Sequence, residues 1–376
     1  MDPLRNSSLL LNLVVLFGFI SSTNAYLSAI FLILFVILIF PLYLHLFYFS
    51  ILVFLVTYIF LGQALSGGTL IPEELIRMMV FSLVIGGLVS GNNFLNGKIE
   101  NNILHFIFTI FLIFSLGNIF SITILTDLRD VIWPLSLDNI NAFDYGVFGD
   151  AWFRTGSIFY NPNVFGEALV FLTIFYLLTD SRFKVPIIFI LFLLVVLTGS
   201  RTATLCIFLL LFFSDKKLRK LSMLVFIPIV ALIAVIYSEE IFLIFRALDF
   251  LSAVSGESSG SVKLFNLIEY LDEYSSRGIL EYIILIFGHG LINQAEWHLD
   301  SEISLLIYSF GLIGFLILIL IILYNFLSLQ DKSKPIYFLF LFSFGSTLLL
   351  SLKFAPLFLI ISSLSKEKRL NFFRSK

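Results

Sequence analysis

The chain has 376 residues, of which 59% are hydrophobic and 13% charged, and its formal net charge is −2. Ordinary soluble domains carry about 25% charged residues, whereas the mean hydropathy here is +1.05. The near-neutral balance gives no electrostatic footing for nucleic acid, and a lone cysteine, Cys206 in an apolar run, excludes an intrachain disulfide.

Taken in chain order, apolar runs lie near 8–21, 26–40, 43–62, 74–90, 102–124, 161–178, 186–199, 201–214, 221–237, 302–325, 335–350 and 354–364. The pattern predicts an all-α, polytopic membrane protein of about twelve transmembrane helices, one transmembrane domain over 1–376. Arg5, an apolar stretch and Thr23-Asn24-Ala25 also fit a cleavable signal peptide. The 46 phenylalanines are read as lipid-facing or helix-packing side chains.

Loop charge sets the expected orientation. Lys216, Lys217, Arg219 and Lys220 form a basic turn, and Lys366, Lys368, Arg369, Arg374 and Lys376 a basic tail. With these inside, both termini are cytoplasmic, and fifteen Lys/Arg fall inside against eight outside. The outer eight are mostly arginine: Arg77, Arg129, Arg154, Arg201, Arg246 and Arg277, with Lys263 and Lys353. Arginine's planar fork grips phosphate bidentately, so an arginine-rich face suggests phosphate recognition.

Two large outer loops follow, 125–160 and 238–300. The first carries Trp133, Tyr145 and Trp152 among Asp138, Asn141, Asp144 and Asp150. Flat rings beside carboxylates and amides suit sugars; interfacial anchoring of the rings explains them equally well. The second contains an amphipathic stretch, with Leu264, Phe265, Leu267, Ile268 and Leu271 on one helical face.

Asn161-Pro162-Asn163, with Gly166 beyond, marks a helix start. Its positive end would favour an anion, and Arg154 lies just upstream. Gly199-Ser200-Arg201-Thr202 marks a second start, and Arg201 has no local carboxylate. Arg277 has Glu273 and Glu281 four residues either side, so an ion pair accounts for it as well. Gly288-His289-Gly290 and His298-Leu299-Asp300-Ser301-Glu302 come next; the second set precedes an apolar run, and a histidine there can serve as general base near neutral pH. Asp300 or Ser301 capping a helix, with Glu302 in its first turn, is the plainer explanation. No two histidines show metal-ligand spacing.

In that order, these motifs and Gly311-Leu312-Ile313-Gly314 resemble the O-antigen polymerase and ligase superfamily of bacterial envelope membranes. The resemblance covers roughly residues 150–325 and implies a GT-C-like membrane glycosyltransferase that needs no metal and no cofactor. It would join undecaprenyl-pyrophosphate-linked repeat units at the periplasmic face of the inner membrane, in lipopolysaccharide and surface polysaccharide synthesis. An O-antigen ligase acting on lipid A core is the alternative, and a lipid-linked oligosaccharide flippase another. The resemblance implies Arg154, Arg201 and Arg277, with Asn161 and Asn163, around the pyrophosphate. It leaves the base open among His298, Asp300 and Glu302, and puts Trp133, Tyr145 and Trp152 on the sugar. Implied partners are the lipid-linked glycan donor and acceptor, membrane lipid and a chain-length determinant protein, with no nucleic acid.

Overall fold

The computed structural model describes residues 8–23, 99–132, 155–159, 162–179, 181–212, 219–220, 267–273, 278–290 and 302–327, with scattered positions in 27–64 and 354–361. The chain forms two compact units, each built from two stretches: Met1–Phe31 with Leu95–Ile244, and Leu32–Phe94 with Phe245–Lys376. The described regular structure is helical throughout.

The first unit contains α1 (Ser8–Ser21), α2 (Asn101–Ile119), α3 (Thr123–Ile132), a short 3-10 turn (Ser157–Phe159), α4 (Pro162–Leu178), α5 (Lys184–Thr198) and α6 (Arg201–Phe212). Local chemistry explains the ends. Asn12 of α1 accepts the Glu100 N–H at 2.9 Å, just before α2 begins. Proline opens α4, where its missing N–H costs nothing. Gly199 closes α5 at φ 63, its N–H bonded to Val196 O at 3.0 Å. The α2 carboxyl end closes by a wrap in which Ile122 N–H reaches Gly117 O at 2.9 Å and Ser121 takes φ 52.

Phenylalanine makes the centre of this unit. Phe111 meets Phe19, Phe159 and Phe165 edge-on at 6.0, 5.4 and 5.6 Å between ring centroids. Phe19 also meets Phe175 at 5.7 Å. Each such pair is worth about 0.5–1.5 kcal/mol beyond the area it buries. Because α1, α2, the 3-10 turn and α4 all contribute rings, the cluster ties residues distant in sequence to one point.

The second unit contains α7 (Ile279–Phe287) and α8 (Glu302–Leu327). Tyr270, Leu285, Ile307 and Tyr308 form its core, with Leu267, Leu271 and Phe315 packed against them. Residues 267–273 are helical. The expected apolar face is rotated: Tyr270 is fully buried and Ile268 is 55% exposed. Helix α8 is divided at Gly311, which has φ 64 and ψ −177.

The expectation of about twelve transmembrane helices is corrected. Among the described residues one helix, α2, is long and apolar enough to cross a membrane; α1, α4, α5 and α6 run 12–17 residues, and the 26-residue α8 is divided at Gly311. The apolar side chains of α4 point into protein: Phe165, Leu169, Leu172 and Phe175 are all fully buried. A continuous apolar run has no periodicity to separate a core helix from a span, and shorter runs are commonly core helices. The multi-pass inner-membrane placement, with both termini cytoplasmic, rested on those spans and goes with them.

Candidate functional site

Thr-Gly-Ser occurs twice, at 155–157 and 198–200, with Arg154 before the first copy and Arg201 after the second. Both copies make the same hydroxyl-to-backbone hydrogen bond. In the first, the Thr155 hydroxyl accepts the Ser157 N–H at 3.4 Å; in the second, the Thr198 hydroxyl accepts the Ser200 N–H at 3.1 Å. Such hydroxyl turns let a short side chain stand in for a backbone acceptor.

The fold puts the two turns side by side. Thr155 N–H donates to Leu197 O at 3.1 Å, which pins the first turn to the end of α5. Gly166, in the second turn of α4, packs where a Cβ would lie 2.9 Å from Ala203 Cβ and 3.0 Å from Ser200 Cβ. The missing side chain is what lets the starts of α4 and α6 meet. Ser157 is held at φ 50, and its hydroxyl donates to Phe111 O at 3.1 Å. Thr155, Ser157, Thr198 and Ser200 are all buried.

The junction thus gathers four buried hydroxyl residues and two positive helix ends, with an arginine next in sequence to each Thr-Gly-Ser turn. Hydroxyls and helix starts favour an oxyanion in this setting. The arginines and helix starts stood out in the sequence, but the paired turns did not. The repeat itself is the signal that would have shown them.

Of the anticipated site residues, Asn163 lies in the first turn of α4 and is exposed. Arg201 opens α6 in the first unit, and Glu302 opens α8 in the second. Arg154, Arg277, Asn161, His298, Asp300, Trp133, Tyr145 and Trp152 lie outside the described residues.

The other histidine motif, Gly288-His289-Gly290, lies in the second unit. His289 is buried, and its ring stacks on Tyr308 at 4.3 Å and 13°, with Tyr270 at 5.9 Å. Burial lowers its pKa to about 4, so near neutral pH it is an uncharged packing ring, not a base poised to titrate.

The enzymatic expectation is corrected as well. The described residues include no group of three or more His, Cys, Asp or Glu that could hold a metal ion. Glycosyl transfer, as polymerase or ligase, was argued from a multi-pass scaffold that the described helices do not form, and the flippase alternative needed the same spans. No family model, no curated protein and no solved structure matches the chain. The likeness to the O-antigen polymerase and ligase superfamily is overturned by the described helices, of which one is long and apolar enough to cross a membrane.

Proposed function

We propose that this chain binds a phosphoryl group, carried by a lipid headgroup or free in solution, at the paired Thr-Gly-Ser turns. The observation that supports the reading most is the pairing itself: Gly166 seats the start of α4 against Ser200 and Ala203 at the start of α6. Two helix starts aimed at one region add their fields there. Arg154 and Arg201 would supply the charge, and Thr155 and Ser200 the donating hydroxyls, since those of Ser157 and Thr198 are given to Phe111 O and Val195 O. Outward-facing Leu9, Phe17 and Phe106 of the first unit are compatible with a ligand that also has acyl chains.

Two arms distinguish the sources. Titration with inorganic pyrophosphate tests the free anion, and flotation with phosphatidic acid against phosphatidylcholine vesicles tests the lipid. Arg201→Ala and Arg154→Ala are each expected to weaken whichever binding is seen by about tenfold, with lysine restoring little because it lacks the fork. No heat with pyrophosphate, together with equal flotation on both vesicles, would sink the reading.

A further inference from the structure

Helix α8 is interrupted at Gly311, and the interruption is filled by other parts of the second unit. In an unbroken helix the Gly314 N–H would bond Phe310 O. Here the Tyr58 hydroxyl stands between them, donating to Phe310 O at 2.8 Å and accepting from the Gly314 N–H. The space for it comes from Gly314, where a Cβ would lie 3.1 Å from both Tyr58 Cε1 and its hydroxyl. The two carbonyls before Phe310 are taken by the 288–290 segment: His289 N–H bonds Tyr308 O at 2.8 Å and Gly290 N–H bonds Ser309 O at 2.9 Å.

Glycine makes each approach feasible. A Cβ on Gly288 would lie 2.5 Å from Gly311 N, and one on Gly62 would lie 2.9 Å from Gly288 O. Gly288, Gly290 and Gly311 all have positive φ, at 88, 75 and 64. Three freed carbonyls are therefore answered by one side chain and one short segment, both separable from α8 without unwinding either half. A side chain inserted in the helix ladder is a recognised cause of kinks, and glycines with positive φ suit hinge positions.

We propose that Gly311 is a hinge between two half-helices of α8, that the Tyr58 hydroxyl is its latch, and that release of the latch lifts the 288–290 segment and uncovers the His289 ring. The closed state is the one described: His289 is 4% exposed and flat against Tyr308.

The test uses the full chain, with two readouts on one variant. Tyr58→Phe keeps the ring and removes the hydroxyl. It should speed amide exchange over 312–314, and modification of His289 by diethyl pyrocarbonate, each about tenfold, while exchange in α4 is unchanged. Tyr282→Phe, at an exposed tyrosine of α7, should alter neither. If Tyr58→Phe leaves both rates within about twofold of the parent, the latch is wrong. A variant that does not fold is replaced by a measurement on the parent chain. Amides of His289, Gly290 and Gly314 should then open with one shared equilibrium constant, and three different constants overturn the hinge.

Discussion

Ser157 holds a left-handed backbone with a full side chain, at φ 50, and its hydroxyl reaches Phe111 O. An L-residue in that region costs roughly 1–2 kcal/mol, so the bond must offset strain. Ser157→Ala keeps the strain and loses the bond; chemical denaturation should show a loss of about 1 kcal/mol. Ser121 makes the contrasting case. It takes φ 52 in an exposed wrap, and Ser121→Gly should raise stability by up to about 1 kcal/mol in the same assay. His289 supplies a pH dependence. Its folded pKa, about 4, lies below the ordinary 6.5, so between those values the unfolded chain binds the extra proton. Its contribution is full above about pH 6.5 and is lost as pH falls toward 4, by up to ~3 kcal/mol. Thermal melts across that range should flatten in His289→Gln. At this scale Arg201 was conspicuous in the sequence because no local carboxylate neutralises it, and Arg154 because it lies just before the helix start at Asn161-Pro162. The burial of His289 was not, because it depends on Tyr270 and Tyr308, residues distant in sequence.

Among elements, the α4–α6 contact is the most sensitive to size. Gly166→Val would place branched carbons against Ala203 and Ser200, where even a Cβ is too close. Overpacking of this kind costs typically about 1–3 kcal/mol. A Tm drop with loss of phosphoryl binding is expected, and an unchanged Tm would show that the helices can part freely. The extents of α1, α4, α5 and α6 follow closely the apolar runs at 8–21, 161–178, 186–199 and 201–214. Asn161-Pro162 and Gly199-Ser200 marked boundaries by chemistry that acts within a few residues. What surrounds each helix was not legible. Helices α4 and α5 are apolar on every side, so no face distinguishes protein neighbours from lipid. The break in α8 was equally hidden, since Gly311 in an apolar run says nothing of Tyr58, which fills it from 252 residues before its partner Phe310.

At the level of the whole molecule, exposed apolar side chains remain. Leu312, Leu316 and Leu320, at four-residue spacing on α8, are 38%, 59% and 64% exposed. Patches of that kind drive association. Sedimentation in plain buffer should show self-association that detergent or lipid vesicles reverse, and a monodisperse monomer without either would contradict this. The two compact units also have a temporal meaning. Each is assembled from separated stretches, and 32–94 belongs with 245–376 while the intervening 95–244 belongs with 1–31. During synthesis, the stretch 32–94 emerges before its companions. At ~5–20 residues per second it waits roughly 8–30 s for residue 245 to follow. A hydrophobic strip of nascent chain must be sheltered over that interval while the first unit closes around it in sequence. Biogenesis therefore places a demand for a holding chaperone or a lipid surface on this protein before any ligand does.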